Sequence, residues 1–209
     1  MHTNTKGLRT ALLGAMLALA AIAAPAQALD TTNVAFIQTS TAPTSIPVGH
    51  LEFCKSHRDD CRPHANPVTA VSLDDQRWQQ LLNINAYVNQ TVTPVTDEDL
   101  YKVAEFWTYP NGYGDCEDYA LEKRRQLIGA GWPASTLLMA VVKQANGEGH
   151  AVLLVRTDRG DLVLDNQVGS VDLWSQTPYK FVKRQSQADA GQWVDMMDDR
   201  NITITAAIQ

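Results

Sequence analysis

HAVLLVRTDRGDLVLD, from His150 to Asp165, is the stretch on which the fold turns. Two apolar, β-branched-rich runs flank Asp158-Arg159-Gly160, a turn signal, so the segment reads as a β-hairpin. If Thr157 to Gly160 form a symmetric turn, Arg156 pairs with Asp161 and Asp165 falls opposite Val152. Side chains alternate along a strand, so His150 shares a face with Val152. His150 and Asp165 are then diagonal neighbours within reach of one another, provided no bulge shifts the parity. Thr136 to Val142, set off by an Asn146-Gly147 turn, and Tyr179 to Arg184 read as further strands.

Upstream of this the period is helical. Asp74 to Thr91 carries Trp78, Leu81, Leu82 and Val88 at helical spacing, and Asn85 falls on the same apolar face. A buried amide must find partners, so Asn85 is either a satisfied core residue or one lining a pocket. Thr96-x-x-Asp99 is a capping box, and a second helix is expected through Leu100, Val103, Ala104 and Trp107 until Pro110 stops it. A third begins around Cys116 and runs to Leu127 or Ile128, with Gly129 and Gly131 as terminator. Helices first and antiparallel strands after define an α+β class. Leu29 to His50 is rich in Thr, Ser and Pro and reads as an extended leader with at most a short strand near Val34 to Ile37. Regular structure is expected from Asp74, which divides the chain into 1–28, 29–73 and 74–209.

The first of these segments is an export signal. Lys6 and Arg9 precede an apolar run from Ala11 to Ala24, followed by the A-x-A pattern at Ala26-Gln27-Ala28. The run is shorter than the roughly 20 residues a spanning helix needs, so a soluble, periplasmic protein is expected after cleavage. Removing Lys6 and Arg9 leaves 15 basic against 23 acidic side chains. An acidic surface with no basic stripe argues against nucleic acid as a partner. An oxidising compartment suits a local disulfide between Cys54 and Cys61; the alternative is a metal site using His57 and His64 beside them. Either leaves Cys116 as a free thiol.

Cys116 sits where a glycine-bearing loop enters a helix. The unpaired N–H groups there lower a thiol pKa and can bind a developing oxyanion. Asp165 would hold His150 in one tautomer, and His150 would take the Cys116 proton. The plainer alternative has His150 ending a strand and Asp165-Asn166 turning the chain. Asp115, Glu117 and Asp118 crowd the thiol, and negative neighbours disfavour a thiolate. Either they are solvated first-turn acids, or they hold a hard divalent cation that reverses the local field.

Gly114-Asp115-Cys116-Glu117-Asp118-Tyr119-Ala120, then His150, then Leu164-Asp165-Asn166, together with Phe106-Trp107-x-x-Pro110, resembles the bacterial transglutaminase-like cysteine proteinases. The resemblance covers roughly Asp74 to Trp174. It implies a papain-like, transglutaminase-like core with helices packed on an antiparallel sheet, and a catalytic triad of Cys116, His150 and Asp165. It also implies a calcium site whose ligands map to Asp115 and Glu117, with Asp118 beside them. Well-known members are periplasmic calcium-dependent proteases that clip large adhesins and disperse biofilm, and an inner-membrane receptor sequesters them. The short cysteine-pair segment and the Thr/Pro leader differ from those members, which leaves the adhesin substrate and the receptor as expectations from the family alone.

The leading function is therefore an exported cysteine endopeptidase acting on a protein substrate. The same thioester chemistry would serve a transglutaminase or an amidase acting on peptidoglycan. A non-catalytic, calcium-responsive binding module is the alternative outside enzymology. Beyond the Cys116 backbone N–H, Asn85 is the candidate second oxyanion donor.

Overall fold

A computed structural model describes residues 36–204 together with Met1 and His2. Apart from those two residues, the expected signal segment lies outside the described residues, as do Val34 and Ala35 of the expected short strand. The helical half comprises β1 (Gln38–Thr44), α1 (Val48–Ser56), α2 (Asp75–Thr91), β2 (Thr93–Pro94), α3 (Asp97–Tyr101), β3 (Tyr113–Gly114) and α4 (Cys116–Gly129). The sheet half follows as β4 (Leu137–Lys143), β5 (Gly149–Thr157), β6 (Gly160–Leu164), β7 (Asp172–Leu173), β8 (Lys180–Gln185) and β9 (Trp193–Met197).

The hairpin forms in the register read from its turn. Arg156 pairs with Asp161, Thr157 with Gly160 and Leu153 with Leu164. Gly160 takes φ 114°, a conformation open to glycine and strained for other residues. Around the hairpin grows a seven-stranded antiparallel sheet in the order β1-β9-β8-β4-β5-β6-β7. The central strands are buried on both faces, which is why they read as unbroken apolar runs. Leu137, Met139, Leu153 and Val155 face Leu121 and Leu127 of α4. Leu138, Ala140, Val152 and Leu154 pack on the other side with Phe181, Tyr179 and Trp174. The architecture is the expected α+β one.

Three elements depart from the sequence reading. The leader is not extended up to Asp74, because β1 pairs with β9 and α1 packs Phe53 into the core. A ladder needs only main-chain groups, so the polar QTSTAPT serves as an edge strand, where Pro43 is tolerated. The second helix stops at Tyr101 instead of reaching Trp107, since Lys102 turns left-handed at φ 62° and the Asp97 carboxylate captures the Phe106 N–H. Trp107 leaves the helix to pack edge-on against Trp193 and His50, and a Cβ added at Gly49 would lie 2.2 Å from its ring. The third departure is β9, whose five residues give too short an alternation to be read.

Cys54 and Cys61 are joined in a disulfide, with Cα atoms 5.6 Å apart, that ties the end of α1 to the turn after it. Beneath it His50 is fully buried, and its Nδ1 accepts the Trp193 indole N–H at 3.1 Å. Burial, aided by the charge of Arg124, pulls the His50 pKa from 6.5 down to about 4. A depressed folded-state pKa gives stability that is whole above pH 6.5 and lost as pH falls toward 4. Urea unfolding at pH 7 and pH 4.5 should therefore show a loss of roughly 2–3 kcal/mol from this group. That part of the loss should vanish in His50→Gln, whose amide oxygen can still accept from Trp193.

Candidate active site

Cys116 is the first residue of α4, with Asp115 as the helix N-cap. The helix starts here because the β3 segment, paired with β2, delivers the chain to it, and Tyr119 N–H already reaches back to the Asp115 carbonyl at 3.2 Å. Gly114 is required by contact: a Cβ there would lie 2.6 Å from Asp118 Oδ2. Cys116 is half-buried and the one free cysteine, and its Sγ accepts the Ala151 N–H at 3.3 Å. That contact brings the helix N-terminus against the first turn of the hairpin strand that bears His150.

His150 and Asp165 meet as the hairpin register requires. His150 Nε2 lies 2.9 Å from Asp165 Oδ1, with both side chains almost wholly buried. Asp165 also accepts the Gln167 N–H on Oδ1 at 3.0 Å and the Tyr179 hydroxyl on Oδ2. Burial alone would raise its pKa, but the bonds from His150, Tyr179 and Gln167 outweigh it and hold the carboxyl below the usual carboxylate range. An ionised acceptor at Nε2 assigns the imidazole proton there and leaves the Nδ1 lone pair available, with the Gln167 amide nitrogen 3.4 Å away. Tyr179 and Gln167 escape a sequence reading. No spacing rule links position 179 to 165, and Gln167 is signalled only by following the Asp165-Asn166 turn.

A cleft of about 430 Å³ opens on one side of this group, walled by Pro47, Val48, Trp107, Val141 and Ala151. A second arm of about 260 Å³ runs past Val95, Asn166 and Gln167, and Cys116 and His150 line both. Asn85 lines neither: it is fully buried and its amide donates to Gly169 O at 3.2 Å.

The acids around the thiol form a second cluster. Asp97, Asp115 and Glu117 each bring a carboxylate oxygen to within 4.8 Å of the others. Asp118 is not in this trio and accepts the Thr108 N–H at 2.8 Å. Asp97 was invisible as a partner because it reads as a first-turn acid of its own helix. One oxygen on each of Asp97, Asp115, Glu117 and Asp118 is buried without a donor among the described residues. Burial, with Asp115 adding to it, pushes Glu117 up to about 10, and burial pushes Asp118 up to about 8. Burial and the Glu117 charge likewise raise the Cys116 thiol, whose S–H points to Glu117 Oε2 at 3.2 Å. Orphaned buried carboxylate oxygens at this spacing suit a hard dication, which takes oxygen ligands and offsets their charge.

A free thiol at a helix N-terminus, lining the same clefts as a histidine bonded to a buried carboxylate, has the composition of a papain-like cysteine peptidase site. The sequence model for the bacterial transglutaminase-like cysteine proteinases (BTLCP) matches residues 40–201, and the chain belongs to this family of cysteine peptidases. Among solved structures it is similar to Legionella pneumophila LapG, with 27% identity over 51% of this chain and 62% of LapG, at a TM-score of 0.45. The match thus spans less than two thirds of that protein. The calcium-bound form of LapG matches at 23% identity over 63% of this chain and 75% of its own, with a TM-score of 0.50, and shares the fold. An EGTA-treated form gives 24%, 59% and 69%, with a TM-score of 0.48. No curated protein matches the chain.

Tyr179→Phe should leave Asp165 Oδ2 buried without a donor. The expected cost is about 1–3 kcal/mol in urea unfolding at pH 7. With one donor gone the Asp165 pKa rises, so the stability it lends begins to be lost at a higher pH on acidification, which carboxyl ¹³C NMR titration would read directly.

Proposed function

We propose that this protein is an exported cysteine endopeptidase that cleaves a periplasmic or cell-surface protein through Cys116, His150 and Asp165, with calcium held by the acids beside the nucleophile. The observation that carries the reading is the buried 2.9 Å contact between His150 and Asp165, standing at the same cleft as the free thiol. The large adhesins cleaved by family members are the substrate class to try first.

The roles follow from placement. Asp165 fixes the tautomer and stabilises the imidazolium as it forms. His150 Nδ1 accepts the thiol proton while Cys116 Sγ attacks the scissile carbonyl, forming a tetrahedral intermediate. Main-chain N–H groups at the start of α4 donate to its oxyanion. His150 then protonates the departing amine, leaving a thioester. Water, deprotonated by the same imidazole, hydrolyses that thioester and restores the thiol. Trp107, Val48 and Val141, with Glu105 and Lys183 beside them, would receive the peptide's side chains along one side of the cleft.

Asp97, Asp115 and Glu117 would hold the calcium ion, supported by their orphaned oxygens and by calcium binding in a protein of the same fold. Bound there, the ion would supply positive charge beside the thiol, with Glu117, whose Oε2 accepts the thiol S–H, among the residues that would hold it. Asp97→Asn should then weaken calcium binding at least about tenfold in titration calorimetry.

The central test is the iodoacetamide alkylation rate of Cys116 against pH, with calcium and with EGTA, in the wild type and in His150→Ala. Fast alkylation near neutral pH, slowed more than about tenfold by His150→Ala and slowed also by EGTA, is the expected result. A rate equal to that of a free thiol, and indifferent to the substitution, would overturn the proposal.

A further inference from the structure

Tyr179 touches two members of the catalytic group. Its hydroxyl donates to Asp165 Oδ2, and its ring centroid lies 5.4 Å from that of His150. It closes a segment in which Trp174–Gln176 forms a short 3₁₀ turn before β8 begins at Lys180. That segment does not lie flush against the loop it serves. Val168 and Ser170 on one side, and Gln176, Thr177 and Tyr179 on the other, line a cavity of about 50 Å³ that also reaches Asp165. Packing across such a gap leaves the place of the hydroxyl to be set from elsewhere.

Arg200, three residues beyond the end of β9, supplies the hold. Its Nη1 donates to the main-chain carbonyls of Trp174 at 3.0 Å, Ser175 at 3.0 Å and Thr177 at 3.1 Å. Its Nη2 donates to that of Tyr179 at 2.6 Å. The guanidinium carbon also sits 4.5 Å from the Trp174 ring centroid and 5.7 Å from that of Phe181. Arg200 is itself fixed by Asp198, whose buried carboxylate accepts from Nε at 2.9 Å and from Nη2 at 2.8 Å. The same carboxylate accepts the Phe181 N–H of β8 at 3.0 Å, so the clamp is anchored to the sheet. A planar fork with five N–H donors can serve four carbonyls and a carboxylate together, whereas three donors on a single ammonium nitrogen cannot span them.

We propose that Arg200 is a positioning residue for the Cys116–His150–Asp165 group: it grips the main chain on both sides of Pro178 and so holds the Tyr179 hydroxyl on Asp165. The inference rests on the triad reading. It makes the segment that follows the sheet a part of the active-site scaffold.

The test compares Arg200→Lys and Asp198→Asn in the full chain, each with and without Tyr179→Phe. Lysine keeps the charge and loses the fork, while Asp198→Asn, the milder variant, loosens the fork and leaves its carbonyl partners in place. The readouts are carboxyl ¹³C titration of Asp165 and the alkylation rate of Cys116, with urea unfolding to establish that each variant is folded. Arg200→Lys should raise the titration midpoint of Asp165, the direction expected of Tyr179→Phe, and slow alkylation about threefold. Asp198→Asn should act in the same sense and less. In the Tyr179→Phe background neither should move Asp165 or Cys116 further, because the bond they protect is already gone. A lowered unfolding midpoint with the Asp165 titration unmoved in both variants would leave Arg200 a purely structural clamp and overturn the proposal. Equal shifts with and without the Tyr179 hydroxyl would overturn it as well, since the effect would then travel by another route. A wild-type thiol that alkylates no faster than a free one would count against the triad, while the Asp165 titration would still decide the role of Arg200.

Discussion

A carboxylate kept from water must be given donors, a cation or a proton, and the site of this protein is arranged around two groups of acids that meet that demand differently. Asp165 is given donors: His150, Tyr179 and Gln167 satisfy both its oxygens, so it stays ionised at a position almost closed to solvent. Asp97, Asp115 and Glu117 each keep a buried oxygen with no donor among the described residues, and burial pushes Glu117 far up. One group therefore steadies an imidazole, and the other gathers carboxylate oxygens within reach of one another beside the thiol. Cys116 stands between them, with the Ala151 N–H on its sulfur and Glu117 beside it.

How much of this is legible in a sequence depends on how far apart the interacting residues lie. The hairpin register follows from period-two alternation and one glycine turn, both local, and it places His150 against Asp165 without any knowledge of the rest of the fold. The start of α4 is local too, since a helix beginning at Cys116 announces itself by its acids and its spacing. Asp97 joins Asp115 only because β2 and β3 pair and α3 breaks off at Lys102, and neither event has a signal in composition. Tyr179 reaches Asp165 from the approach to β8, across a gap that only sheet order closes.

The cleft shows the same division. One wall comes from α4 and β5, which the sequence announces, and the other from Pro47 and Val48 at the start of α1, which it does not. That wall owes its place to small accommodations. Gly49 leaves room for the Trp107 ring, His50 accepts from Trp193, and the Cys54–Cys61 bridge closes the turn behind. The first two are contacts between distant parts of the chain, so the polar composition of the leader disguised its share in the core.

The pairing of β1 with β9 has a consequence for how the molecule is made. The first strand of the sheet is completed by the last among the described residues, with Gln38 opposite Met197. A chain emerging N-terminus first, from a ribosome or a translocation channel, carries β1 without its partner until the seven other strands and all four helices have preceded β9. Closing so long a loop is slow, and it defers final closure of the sheet until β9 has emerged. Trimming back either end of the described region would also bare a long sheet edge. β1 and β9 are thus a single structural unit, and the loss of one is felt at the other.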